Sequence, residues 1–388
     1  MKVPIIFKYY GGEKMKKCKW ITAIGILLIC VMIFGCMMTA YAAPTEEGTS
    51  AEGESAEGES PEGESPESEG ESAESEGEGV PAFLLAQVPL LLPPELVDLE
   101  TVEAEPWLQI SATNPGIEGP VFDEEGMLYL CDSSPVVPEN HILKISPDKQ
   151  IETIWAGTED PNGLALDQDG RLYAVCREAG VVLAMDKDGS NVETITPSYE
   201  GQPLTMNDCC ISPAGNLYVT DWRGTIVDPV GGVYLLTKES GFSEAIQVVG
   251  NLASPNGVSL SPAGDALWVG VTLSNCVLKV SLAGEGQVAD MLGIVPVYYN
   301  TGTDGPDSNK VDSAGNVYQA FMPGGRALVF DCNGIPVRNI LIPERAEGRL
   351  TMSTNLIIKP GTTEGYLLTS DFMSGAWIYS FEALAEGK

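Results

Sequence analysis

From about residue 107 onward, apolar and polar positions alternate in short runs broken by glycine-containing turns. The runs read IEGPVFDEEGMLYLCD, PNGLALDQDGRLYAVC, MNDCCISPAGNLYVTD, SPNGVSLSPAGDALWVG and GPDSNKVDSAGNVYQA, followed by a degenerate STNLIIKPGTTEGYLLTSD. A period of two over stretches this short predicts half-buried strands, and the glycine between paired runs predicts a hairpin. The turn glycines Gly126, Gly170, Gly215, Gly264 and Gly315 recur at intervals of 44, 45, 49 and 51. Each unit carries a second strand pair, as in HILKISPDKQIETIW, VVLAMDKDGSNVETIT, GGVYLLTKESGFSEAIQVV and RALVFDCNGIPVRNILI. Four strands per unit and six units at this period predict an all-β fold, a six-bladed β-propeller around a central channel, over 107–388. No stretch sustains a helical period with caps. The extended Trp107–Ile110 segment is placed to complete the last blade and close the ring, leaving no sheet edge unpaired.

Eight positions before the five turn glycines stand Glu118, Asn162, Asn207, Asn256 and Asp307. All carry side-chain oxygen, and a repeat that only fixes a fold has no need to fix that chemistry. In a propeller, equivalent inner-strand starts converge on one mouth of the channel. Singly, Asn162-Gly163 and Asn256-Gly257 read equally well as ordinary turns, and Asn207-Asp208 as a strand entry. Jointly, the column reads as a site. Two carboxylates meeting in a channel repel unless a proton or a cation lies between them. Glu118 and Asp307 with the amide oxygens of Asn207 and Asn256 make a hard-oxygen set suited to Ca2+ or another divalent cation. Four protein ligands fall short of the roughly six to eight that calcium takes, which leaves positions for water and substrate.

Charge narrows the partners. Beyond residue 80 there are 15 Lys and Arg against 40 Asp and Glu, a net of −25. A body this acidic repels nucleic acid and anionic lipid and suits a cation or a neutral ligand, so no nucleic-acid partner is expected. Ahead of it, Met15-Lys16-Lys17-Cys18-Lys19 is a basic start, Ile21 to Thr39 is uncharged, and Ala40-Tyr41-Ala42 is a small-x-small cleavage pattern. Residues 1–43 therefore predict export by a cleaved signal peptide, with a lipoprotein at Cys36 (Ile33-Phe34-Gly35-Cys36) and an uncleaved membrane anchor as alternatives. Each alternative sends the body across a membrane, to a periplasmic, cell-surface or extracellular location. Residues 44–80 carry fourteen Glu and no basic residue in a Glu-Gly-Glu-Ser pattern, which predicts a disordered, self-repelling linker. Residues 81–106 are an apolar lead-in, set to pack on the body or a partner. The six cysteines after residue 80 form no dense framework: Cys209 and Cys210 read as buried thiols, and Cys131 and Cys176 are a permitted bridge. His141, the single histidine, reads as a surface residue in a loop before a strand, so no Ser/His/Asp or Cys/His arrangement is supported.

The segments MNDCCISPAGNLYVTDWRGTIVDPVGGVYLL, ASPNGVSLSPAGDALWVG and TGTDGPDSNKVDSAGNVYQAFMPGGRALVFDCNGIPVRNILIPERAEG carry a resemblance. With them, residues 107–388 resemble the gluconolactonase, senescence-marker-protein and luciferin-regenerating-enzyme superfamily, which includes diisopropylfluorophosphatase. The likeness is strongest to its bacterial drug-responsive-protein lactonases. It implies a six-bladed propeller with calcium in the channel, metal ligands at Glu118, Asn207, Asn256 and Asp307, and Asp307 as the key acid within Gly305-Pro306-Asp307-Ser308. The implied chemistry is metal-assisted opening of a lactone or related ester, with Asp307 activating water or attacking directly. Asp208 would orient a ligand or touch the metal, and Asn162 would line the substrate side. One departure stands out: where this branch often has a histidine after Ser-Thr in the sixth blade, Ser353-Thr354 is followed by Asn355. A non-catalytic exported propeller that binds partners at its channel mouth or through 81–94 is the alternative, and a strictosidine-synthase-like propeller is a third.

Overall fold

The computed structural model describes residues 92–133 and 139–388. The predicted leader, the acidic linker, Cys18, Cys30, Cys36 and the lead-in up to residue 91 lie outside the described residues. Among those described, helix is confined to two short 3-10 turns, Pro94–Leu96 and Pro343–Glu347. The rest is strand and turn.

Six sheets form the blades. Their inner strands are Ile117–Phe122, Pro161–Leu166, Met206–Ile211, Pro255–Leu260, Gly305–Val311 and Met352–Ile358. Each inner strand touches the next, and the sixth returns to the first. The apolar faces meet between blades rather than within one central core. Ile117, Leu130 and Leu143 pack on Leu368 and Ile378 between the first and last blades; Tyr129 and Ile142 pack on Leu172 and Met185 at the next seam. Side chains that alternate along each strand therefore fill two successive seams, which is why the sequence period is two.

The ring closes as the sequence predicts, with an addition. Glu105–Ser111 pairs antiparallel with Gly375–Glu382, so the last blade draws its outer strand from the other end of the chain. The strand starts two residues ahead of Trp107. Before it, Glu100–Glu103 adds a fifth, parallel strand to the fifth blade along Pro336–Leu341. The Glu100 carboxylate grips Arg338 there, at 2.8 and 2.9 Å. Leu96 is buried, and its carbonyl accepts from Asn339 Nδ2 at 2.8 Å.

At the turn end of each inner hairpin, the repeated glycine has positive φ, from 69° at Gly361 to 88° at Gly315. That left-handed conformation is what reserves the position for glycine. The residue three before it closes the turn: Asp312 accepts from Ala314 N (3.0 Å), Asn316 N (2.9 Å), Asn316 Nδ2 (2.8 Å) and Tyr318 Oη (3.0 Å). Asp123 and Asp167 repeat the arrangement with Tyr129 and Tyr173.

Candidate functional site at the channel mouth

Every inner strand breaks register with its neighbour at the level of the polar column. The shifts fall at Glu118/Val121, Pro161/Gly163, Met206/Cys209, Pro255/Val258, Pro306/Asn309 and Ser353/Asn355. A bulge leaves a residue unpaired and re-aims its side chain, so six bulges at one level turn the column away from the ladder. Asn162-Gly163 and Asn256-Gly257 lie inside strands and not in turns. Their glycines serve close approach: a Cβ on Gly163 would sit 2.7 Å from Asp208 Cα, and one on Gly257 2.5 Å from Ser308 Cα.

The column residues are held by neighbours from adjacent blades. Asn162 donates to Asn207 O (2.9 Å) and Asn207 Oδ1 (3.2 Å). Ser308 Oγ donates to Asn256 Oδ1 at 3.3 Å, and Thr220 Oγ1 to Asn256 O at 2.5 Å. Each amide oxygen keeps a second lone pair for another partner. Glu118 Oε2 accepts from its neighbour Gly119 N (2.8 Å) and from Asn355 Nδ2 (2.7 Å). Asn355, fully buried, thus stands beside a candidate ligand from the place where the resembling branch has histidine. Thr354, the bulge residue of the sixth blade, donates instead to Ile117 O at 2.7 Å.

Electrostatics separates these acids from ordinary surface carboxylates. Burial, and after it the charge of Asp208, pushes the Glu118 carboxyl up to about 7 against the opposing pull of Asn355, Gly119 and Lys310. Burial and the nearby Glu118 push Asp307 well above the carboxylate range, with Asn256 and Arg177 pulling the other way. Desolvation and like charge disfavour the ionised form in both. Asp208 is also raised by burial, but here Lys310 opposes it across 3.6 Å and Cys209 N donates at 2.9 Å.

Several contributors were not evident from sequence. Lys310 reads as a solvent-facing strand residue, yet its side chain is 14% exposed. Gln319 donates to Asp307 O (2.7 Å) and Ser308 O (3.1 Å), fastening the bulge that presents Asp307. Gln319 left a signal, a lone glutamine in an otherwise apolar strand; Lys310, following Asp307-Ser308-Asn309, left none. His141 lies within the strand Asn140–Ile145 rather than in a loop, half-buried, with Nδ1 3.9 Å from Asp132 Oδ2. Cys131 and Cys176 are both free thiols, so the permitted bridge is not made. Cys209 is buried, as its sequence reading has it, whereas Cys210 is half-buried.

Do the residues fit a divalent cation? Two partly or wholly buried carboxylates, Glu118 and Asp307, have no ion-pair partner among the described residues, and two oriented amide oxygens stand at the same level of adjacent strands. The donors are hard oxygens, as calcium prefers. Among the described residues, no three His, Cys, Asp or Glu side chains form a metal-holding cluster; a site here would rest on two acids and on amides. On that donor chemistry the set fits.

Comparison with known proteins identifies the class. The family described as "SMP-30/Gluconolactonase/LRE-like region" matches residues 117–354, from the start of the first inner strand to the sixth bulge, and the chain belongs to that family. Over 299 residues it is 33% identical to lactonase drp35 of Staphylococcus aureus (strain MRSA252), covering 75% of this chain and 90% of that protein. Two solved structures share the fold. A gluconolactonase from Xanthomonas campestris matches with TM-score 0.57 and 20% identity over 70% of this chain and 88% of its own. A calcium-binding regucalcin from Agrobacterium tumefaciens strain C58 matches with TM-score 0.59 and 14% identity over 74% and 98%.

Proposed function

We propose that this chain is a lactone hydrolase acting at the mouth of its propeller channel, with a divalent cation, calcium by donor chemistry, held by Glu118, Asn207, Asn256 and Asp307. The observation that carries this reading is the pair of acids Glu118 and Asp307, set at the bulge level of their inner strands and both desolvated, with no ion-pair partner among the described residues. Membership in a family with lactonase relatives supports the reaction class.

Bound there, the cation supplies positive charge that keeps both carboxylates ionised and polarises an ester carbonyl. The chain's own residues do the rest. Asn355 and Gly119 N fix the Glu118 carboxyl; Asn162 and Ser308 steer the Asn207 and Asn256 oxygens. Gln319 holds the Asp307 backbone, so its carboxylate keeps one position while it takes the proton of an attacking water or itself attacks the carbonyl. A single turnover in 18O-labelled water tests for direct attack: label in Asp307 requires an acyl–aspartyl intermediate opened by water at the aspartyl carbon, and a general base acquires none. The substrate is a neutral lactone or related ester, in keeping with the acidic surface. We read the body as exported and tethered through its N-terminal residues, on the strength of the leader and linker sequence.

Chelation is the test. Full-length protein stripped with EDTA is expected to lose turnover across a panel of lactones and regain it with calcium. Turnover that survives complete stripping overturns the cation reading.

A further inference from the structure

The inner strand that presents Asp307 carries Lys310 three residues further along. Its ammonium sits 3.6 Å from Asp208 Oδ2, and the Asp208 side chain has no exposed surface. The remaining partners of that carboxylate are backbone donors: Cys209 N reaches Oδ1 at 2.9 Å, and Val258 N reaches Oδ2 at 3.4 Å. An acid and a base at this depth from strands of different blades form a deliberate pair, because either alone is a buried uncompensated charge.

The pair changes the electrostatic sum. Glu118, Asp208 and Asp307 contribute three formal negative charges to one channel; Asp208 is felt at both other acids and Glu118 at Asp307. Lys310 returns one positive charge, leaving a formal −2. Moreover, Asp208 is turned to Lys310, and no three acidic groups meet as a metal-holding cluster among the described residues. The lysine withholds the third carboxylate.

We propose that Lys310 is a built-in cation of the channel, a positioning residue that neutralises Asp208 and limits the site to a single divalent ion. This rests on the cation reading given above. With Lys310 made neutral, Asp208 becomes a free carboxylate beside the others and the channel gains a second cation site.

Calorimetric titration of the full chain with calcium, with bound metal counted by elemental analysis, tests this. Wild type is expected to show one tight site, Lys310→Met two, and the Lys310→Met/Asp208→Asn double variant one again. Two tight sites in wild type, or one site of unchanged affinity in Lys310→Met, overturn the proposal while leaving the cation reading intact. No tight site in wild type removes both. If Lys310→Met fails to fold, the double variant decides: folded with one site it supports the pairing, and unfolded or with two sites it refutes it.

Discussion

The two ends of the fifth inner strand, Gly305–Val311, use aspartate for opposite purposes. At the turn end, Asp312 receives four donors, two of them backbone N–H groups, and links turn to strand through Tyr318. At the bulged end of that strand, Asp307 is buried with little more than the Asn256 amide in its favour. A carboxylate whose lone pairs are filled is part of the scaffold; one desolvated and left short of donors is available to bind or react. Residue type alone does not tell the two apart, whereas donor supply does.

The strongest test exchanges the two aspartates' fates. Asp307→Asn is expected to lower lactone turnover by on the order of a thousandfold, the loss typical of removing a general base, while melting temperature holds or rises because a buried charge is gone. Steady-state kinetics and calorimetry on one preparation would check both. Retained turnover would mean that the acid has been wrongly named. Asp312→Ala should do the reverse, costing about 1–3 kcal/mol by stranding its donors and leaving kcat per folded molecule intact. Denaturant titration reads that loss.

A subtler intervention is Asn355→Ala. It deletes the donor to Glu118 and leaves the carboxylate in place, so calcium affinity should fall about tenfold or somewhat more, as for other residues that orient a ligand. Affinity unchanged by titration would assign Asn355 to packing alone.

The smallest effect comes from pH. Glu118 is raised in the folded protein, so between its unfolded value near 4.5 and about 7 the native state binds more protons than the unfolded chain. Metal-free protein should therefore gain stability from this group as pH falls through that window and lose it as pH rises towards neutrality. Glu118→Gln should flatten that part of the profile, as seen in melting curves at a series of pH values.

Much of the fold was legible because each blade repeats a turn that only glycine fits, and because the seams between blades demand a strict period of two. The column was legible because five blades keep one offset from that turn. The bulges were not, since an extra unpaired residue leaves no mark in an apolar–polar pattern; hence Asn162-Gly163 looked as much like a turn as a strand. The Lys310–Asp208 pair was hidden too, as partners 102 positions apart meet only after the ring forms. Glu100–Glu103, alternating weakly and mostly exposed, gave no strand signal at all.

The shared last blade also sets an order of events during synthesis. Its outer strand, Glu105–Ser111, is made ahead of the first blade, but its partner Gly375–Glu382 emerges only after the five blades between them. Until then the leading strand has no mate and the seam between the first and sixth blades stays open. Closure so late favours a route in which nearly the whole body must be available before the ring becomes stable, with the long loop-closure entropy that such distant pairing entails.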